Sequence, residues 1–197
     1  MLAASNFSIY FRLGMEHILD LDALDHLCFV IVLGALYLLS DWRRVLILVT
    51  AFTIGHSITL ALATYEVVNV RGDLIEFLIP VTILITAISN LFRKPTVASK
   101  RKIQTNYLFA LFFGLIHGLG FSRYIRASLL ESDRFAESLL SFNLGLEVGQ
   151  IIIVAIALGA GTIMVGLFGV TRRDWNLIIS SAIMGIAFIL LRDVWLW

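Results

Sequence analysis

The residues of this sequence that could do chemistry are four histidines and the carboxylates near them. His26 directly follows Asp25, and His17, His56 and His117 lie in or beside strongly apolar stretches. Neutral imidazole is a good ligand for nickel, zinc and copper, and carboxylates balance the charge of a dication. Ionisable groups inside apolar segments are costly and commonly mark functional sites. These residue types therefore predict a buried site for a transition-metal dication.

The predicted site consists of metal ligands and of surrounding polar groups that orient them. The predicted ligands are His17, Asp25, His26, His56, His117 and Glu147. The predicted surrounding groups are Thr53, Ser57, Glu76, Asn143 and Gln150. We expect Asp20, Asp22 and Asp25 to form an acidic mouth on the outer side of the site.

Helical spacing groups several of these side chains. Residues three, four or seven positions apart share a face of an α-helix. Thr53 and His56 share one face, and Asn143, Glu147 and Gln150 share another. Helices over these two stretches therefore present their polar side chains together.

The composition indicates the environment in which such helices fold. The chain has 197 residues, of which 59% are hydrophobic and 15% charged. A soluble domain has about 45–50% apolar and about 25% charged residues. The lone Cys28 excludes an intramolecular disulfide and a thiolate cluster. With a net charge of +1 and no separate basic domain, the expected partners are membrane lipids and a metal ion, and not a nucleic acid.

The apolar segments predict an all-α integral membrane protein with a single domain over 1–197. About 20 apolar residues cross a bilayer as a helix. Such stretches lie near 24–40, 44–67, 73–92, 106–125, 138–169 and 175–196, after a short interfacial lead-in at 1–22. We therefore predict a bundle of six transmembrane helices, and a seventh helix near 5–22 or 126–137 stays open. The sequence alone shows no convincing internal repeat, and an inverted pair of three-helix halves, as in many transporters, stays open.

Basic residues and glycines predict how the segments are oriented and paired. Five of the 15 basic residues lie in the short stretch 93–102, which the positive-inside rule places in the cytoplasm. Both termini are then expected outside. The pairs Gly114…Gly118 and Gly145…Gly149 allow helices to approach closely, and they predict that segments four and five pack against each other.

Several longer motifs surround the candidate site residues. They read Gly14-Met-Glu-His17, Asp25-His26-Leu-Cys-Phe29, Thr50-Ala-Phe-Thr53-Ile-Gly-His56-Ser57-Ile-Thr-Leu60, Glu76, Phe113-Gly-Leu-Ile-His117-Gly-Leu-Gly-Phe121 and Phe142-Asn143-Leu-Gly-Leu-Glu147-Val-Gly-Gln150. From Gly14 to Gln150, the chain resembles the HupE/UreJ family of hydrogenase and urease accessory membrane proteins. The resemblance implies a six- or seven-helix bacterial inner-membrane protein that is regarded as a nickel or cobalt permease. It also implies that His17, Asp25 and His26 are needed for transport.

The spacing of the first motif departs from the family pattern. Seven residues, Ile18 to Leu24, separate His17 from Asp25, whereas the family pattern has five that include a glycine. The sequence therefore leaves open whether His17, Asp20 or Asp22 supplies the equivalent ligand.

Three functions are compatible with these residues. The leading one is an inner-membrane permease for a transition-metal dication, with nickel first and cobalt second. The second is an integral-membrane zinc-dependent hydrolase, in which Glu147 is the general base. The third is an assembly partner whose metal is structural. A homo-oligomer is compatible with all three.

Overall fold

The described residues of the computed structural model are 6–21, 24–93, 100–130, 132 and 134–195, with side chains described except at 100–105 and 130. They form seven α-helices and a 3₁₀ turn at Leu39–Asp41, with no strand among them. The helices are α1 (Asn6–Leu19), α2 (Leu24–Gly34), α3 (Trp42–Thr64), α4 (Gly72–Leu91), α5 (Lys100–Leu130), α6 (Phe135–Gly166) and α7 (Arg172–Asp193). The predicted all-α membrane fold is confirmed.

Five helices in the described part of the chain are long and apolar enough to cross a membrane. Their apolar spans are Leu39–Thr64, Gly72–Leu91, Asn106–Leu129, Phe135–Gly166 and Arg172–Asp193. They correspond to the second to sixth predicted segments. The chain is therefore a multi-pass membrane protein, and its large exposed apolar side chains, such as Ile156 and Phe188, are suited to contact with lipid.

The prediction of one continuous span at 24–40 is wrong. The helix that begins at Leu24 ends at Gly34 after 11 residues. At 1.5 Å per residue it is about 16 Å long, roughly half the thickness of the hydrocarbon core. The amide of Tyr37 then donates to the carbonyl of Gly34 in a tight turn.

The predicted interfacial lead-in is the helix α1, the seventh helix that the sequence left open near 5–22, and it packs against α6. Tyr10, Gly14 and Ile18 are its buried residues. The hydroxyl of Tyr10 donates to the carbonyl of Ser128, 2.6 Å away on α5. These contacts fix the first helix within the bundle.

Together, α1 and α2 cover the length of one membrane crossing alongside α6. Ser141 near the start of α6 donates its hydroxyl to the carbonyl of Phe7. About two helical turns further along α6 and three along α1, Ile18 contacts Gly149. Leu27 of α2 then lines one cavity with Ile152. Because both sequences advance in the same direction, α1 and α2 form a first crossing that runs parallel to α6 and is interrupted between the end of α1 at Leu19 and the start of α2 at Leu24.

The prediction that the glycines of the fourth and fifth segments pack these two helices against each other is wrong. Gly114 of α5 faces the backbone of Phe52 on α3, while Gly145 of α6 faces the backbone of Phe11 on α1. Each glycine-bearing helix therefore packs closely against an earlier helix. Helices α4 and α7 pack against each other, and the side-chain amide of Asn176 on α7 donates to the carbonyl of Asn90 on α4.

Candidate metal centre

Three histidines converge where the first crossing is broken. His17 lies in the last turn of α1, His26 in the first turn of α2, and His56 in the middle of α3. One ring nitrogen from each lies within 4.8 Å of the others. Their ring centroids are 4.5 Å apart for His17 and His26 and 6.0 Å apart for His26 and His56. The break in the helix therefore brings two histidines to a third on a continuous helix.

The facing ring nitrogens have no hydrogen-bond partner among the described residues. The buried atoms in question are Nε2 of His17, Nε2 of His26 and both nitrogens of His56. Leaving a buried polar atom without a partner costs about 1–3 kcal/mol. A single bound ion would satisfy one nitrogen of each ring. A metal–nitrogen distance of about 2.0–2.1 Å requires donors roughly 3–4 Å apart, so a small inward shift closes the site.

Asp25 orients His26 and lies on the far side of its ring. The carboxylate Oδ1 is 3.2 Å from Nδ1 of His26 and accepts the backbone N–H of His26 at 2.9 Å. An Nδ1–H that donates to this carboxylate leaves Nε2 with its lone pair directed at the other histidines. Asp25, predicted as a ligand, thus lies outside the three-histidine group and contacts one of its members, where its negative charge would stabilise a bound cation.

His117 lies next to the three histidines and outside their group. Its ring is fully buried, with its centroid 5.0 Å from that of His26. The hydroxyl of Thr82 donates to the carbonyl of Ile79 at 2.7 Å and lies 3.1 Å from Nε2 of His117. Because the single hydroxyl proton of Thr82 is already engaged, Nε2 of His117 must be the donor, and its Nδ1 keeps a lone pair. This Nδ1 is also buried without a described partner.

Glu147 and Gln150 bind α6 to α3. Oε1 of Glu147 accepts the hydroxyl of Thr50 at 2.7 Å, and Oε1 of Gln150 accepts the hydroxyl of Thr53 at 2.8 Å. Within the described chain, Glu147 is not part of the group formed by the three histidines. Its carboxylate is instead engaged one helical turn away from Gln150 in the same helix contact.

The other predicted site residues are dispersed around the centre. Ser57 donates to the carbonyl of Thr53 in its own helix, and the amide of Asn143 donates to the carbonyl of Leu139 in its own helix. Oδ1 of Asn143 is buried and has no described partner.

The outer acidic residues divide between two places. Glu76 is exposed and lines a cavity of about 120 Å³ together with Glu66, Arg123 and Arg126. Asp20 lies between α1 and α2, whereas Asp22 falls outside the described residues.

Aromatic rings enclose the centre, and sequence reasoning missed them. The ring of Phe121 is 3.6 Å from that of His17, centroid to centroid, and Phe142 is 5.2 Å from Phe121. On the opposite side, Phe29 and Phe52 are 4.9 Å apart. Phe52 and Phe121 each lie four residues from a predicted histidine ligand, and this shared helix face was the signal available in the sequence.

The chain matches one known family over nearly its whole length. The family model described as HupE / UreJ protein matches residues 2–196. No curated protein and no solved structure matches the chain.

Proposed function

This chain belongs to the HupE/UreJ family, and we propose that it is an inner-membrane permease for a transition-metal dication, with nickel the first candidate. The family is linked to the handling of nickel and cobalt in transport-related accessory roles. The observation that carries the proposal is the convergence of three buried imidazoles, with unsatisfied nitrogens, at a break in a membrane crossing.

A broken membrane helix is suited to binding an ion. Many transporters bind their substrates at discontinuous helices, whose free backbone ends and dipoles face the site. The partial negative charge at the end of α1 favours a cation beside His17. Asp25 adds a full negative charge on the opposite side of His26. The cation therefore gives up water in exchange for imidazole ligands, a nearby carboxylate and the helix end.

The chemistry of the ligands favours nickel or cobalt over harder ions. Imidazole suits nickel, cobalt, zinc and copper, whereas magnesium and calcium prefer oxygen ligands. The affinity of a nitrogen site for first-row divalent metals follows a general order that depends little on the protein. Imidazole ligands alone therefore do not select nickel over zinc. Nickel is proposed first because of the family.

The test of the permease is radiolabelled nickel uptake by cells that express the wild type or His56→Ala, with the amount of protein in the membrane measured in both. We expect uptake by the wild type and none above background by the variant at equal abundance. Thr64→Ala is the matched control, since it removes a buried hydroxyl from the same helix, two turns beyond His56. Wild-type cells that take up no nickel would contradict the proposal.

The same preparation tests the alternative of a zinc hydrolase. Three histidines with a free coordination position can activate water on zinc. An enzyme keeps its metal, so zinc that stays stoichiometric through dialysis, together with no nickel uptake, would favour hydrolysis. In that alternative, Glu147 is the general base. Its carboxylate accepts a hydrogen bond from Thr50 in the contact between α6 and α3.

A further inference from the structure

Two helix pairs in this protein are built in the same way. In the pair of α3 and α5, Gly55 faces the carbonyl of Leu111, and Gly114 faces the carbonyl of Phe52. In the pair of α6 and α1, Gly145 faces the carbonyl of Phe11, and Gly14 faces the carbonyl of Phe142. In each pair, the carbonyl lies three residues before the glycine of the same helix. Both contacts are therefore reciprocal and have the same register.

The sequence repeats in the same register. A histidine follows three residues after the glycine in both α1 and α5, at His17 and His117. The partner helices share Phe-x-x-Gly, at Phe52 in α3 and Phe142 in α6. The offset is 100 residues for α1 and α5, and 90 residues for α3 and α6. These short sequence matches are weak evidence of a repeat by themselves. They are supported by the glycine–carbonyl contacts that the same residues make in both helix pairs.

The order of the helices agrees with a duplication. The first crossing (α1 with α2), α3 and α4 correspond in order to α5, α6 and α7. If each helix is replaced by its equivalent in the other half, the contact of α3 with α5 becomes the contact of α6 with α1. The contact of α4 with α7 is then unchanged, since these two helices are each other's equivalents. Because three crossings separate equivalent helices, the two halves have opposite orientation in the membrane. This is the inverted arrangement found in many secondary transporters.

The equivalent aromatic residues lie on opposite sides of the metal centre. Phe52 precedes His56 on α3, which begins on the side of the protein where α4 ends and α5 begins. Phe142 lies near the start of α6, on the opposite side, where α1 begins. The ring of Phe142 is 6.0 Å from His17, and the ring of Phe52 is 5.2 Å from His117. Each phenylalanine thus contacts the equivalent histidine of its own side.

Phe142 and Phe52 each belong to a layer of aromatic rings that lies between the histidines and one end of the protein. On the outer side, Phe142 stacks on Phe121, and Phe121 stacks on Tyr124, a residue that is 80% exposed. On the inner side, Phe52 packs on Phe29, which is 5.9 Å from Phe113. Phe113 also lines a cavity of about 90 Å³ with the polar residues Tyr37, Ser89, Asn90, Arg93 and Asn106. One layer of rings therefore separates the histidines from each end of the protein.

We infer that the protein consists of two inverted three-crossing repeats, and that Phe142 and Phe52, at equivalent positions, are the outer and inner gates of the metal path. The inference rests on the proposed transport function for the identity of what passes. A permease must open its site to one side at a time, and two equivalent halves supply two equivalent closures. Opening one layer while the other stays packed exposes the same histidines to alternate sides.

The test measures access to the centre from each side. His56→Cys in a Cys28→Ala background places one thiol among the histidines. A membrane-impermeant methanethiosulfonate is applied to spheroplasts, which expose the outer side, and to inverted vesicles, which expose the inner side. The rate of labelling is compared after adding Phe142→Ala, Phe52→Ala or the control Phe188→Ala, whose ring on α7 is 53% exposed and has no described role at the centre.

We expect Phe142→Ala to raise labelling from the outer side alone, and Phe52→Ala to raise it from the inner side alone. The change should be about tenfold, since aromatic contacts of this kind shift an equilibrium by roughly that factor. Phe188→Ala should change neither rate. If an alanine variant does not accumulate, the pair Phe142→Leu and Phe52→Leu carries the same expectation with a smaller change.

Equal effects on both sides, effects on the same side, or no effect of either variant would overturn the assignment of the gates. Nickel uptake is measured in parallel with His56 and Cys28 intact. Side-selective labelling in a protein that moves no nickel would retain the gates and reject the permease. Nickel uptake without side-selective labelling would support the permease and reject the two phenylalanines as gates.

Discussion

At the scale of residues, the centre depends on which nitrogen of each ring is free. The Asp25 carboxylate lies within hydrogen-bond distance of Nδ1 of His26, and the hydroxyl of Thr82 lies within hydrogen-bond distance of Nε2 of His117. A ligand held in one tautomer is ready to bind, whereas a freely rotating ring must first be ordered. The polar residues around the histidines therefore affect metal affinity without touching the metal.

We predict that Asp25→Asn weakens metal binding by about 10- to 100-fold, as is typical when the partner of a metal-bound histidine is lost. The amide keeps the size of the carboxylate but removes its charge and its preference for a donor. The measurement is the nickel dissociation constant of the purified protein. Asp174→Asn, at the exposed start of α7, should leave affinity unchanged. An unchanged affinity in Asp25→Asn would remove Asp25 from the centre.

The unusual spacing of the first motif leaves open whether His17 or Asp20 supplies its metal ligand, and two variants distinguish them. His17→Ala should abolish nickel binding as fully as His56→Ala, because both rings belong to the same three-histidine group. Asp20→Asn should retain binding within a few-fold. Isothermal titration of the variants with nickel measures the difference. A larger loss in Asp20→Asn than in His17→Ala would mean that the aspartate has taken over the ligand role.

At the scale of elements, the helices are positioned by backbone contacts at small residues. A Cβ at Gly14 or at Gly114 would overlap the carbonyl of the partner helix, at Phe142 and Phe52 respectively. These contacts bring the backbones together at the level of the histidines. They therefore set the distance between the helices that carry the ligands.

We predict that Gly14→Ala and Gly114→Ala each destabilise the protein by about 1–3 kcal/mol, the typical cost of overpacking. The controls are Gly159→Ala and Gly185→Ala, since a Cβ at either position has no atom within 4 Å. These should be neutral or stabilising, because alanine is the better helix former by about 1 kcal/mol. Thermal unfolding of the detergent-solubilised variants measures the order. Equal melting temperatures in all four would contradict the close helix contacts.

The sequence predicted the elements with clear hydropathy and missed those fixed by packing. Five of the six spans were predicted, because each is a long apolar run. The break between α1 and α2 was missed, since Arg12, Glu16 and Asp20 make residues 6–21 look like a polar lead-in. What holds that segment in the bundle is its contact with α6, more than 120 residues away. The histidines were visible as unusual residues in apolar segments, whereas phenylalanine is common in any membrane helix, so Phe142 carried no signal of a role.

At the scale of the whole molecule, the number of crossings decides which side each end occupies. Five continuous spans alone would place the start of the first span and the end of the last on opposite sides. The broken helix adds one crossing, because α1 and α2 run parallel to α6 throughout. We therefore interpret the described helices as six crossings, and we expect the two ends of the described chain, near Asn6 and Asp193, on one side of the membrane.

We predict that reporters fused at the two termini lie on the same side of the membrane, opposite a reporter inserted in the basic loop near residue 97. Alkaline phosphatase, which is active only outside, and green fluorescent protein, which is fluorescent only inside, give complementary readouts. The loop 65–71 between α3 and α4 serves as the control for the outer side. Termini on opposite sides would mean that the first two helices enter and leave by the same face.

The broken first crossing also has a consequence for how the cell makes this protein. Neither α1 nor α2 is long enough to be recognised as a membrane span while it leaves the ribosome, and the helix they pack along begins at Phe135. At about 5–20 residues per second, more than 100 further residues take on the order of ten seconds to synthesise. We therefore expect α1 and α2 to complete their crossing only after α6 has been synthesised, and the three histidines to come together at that stage.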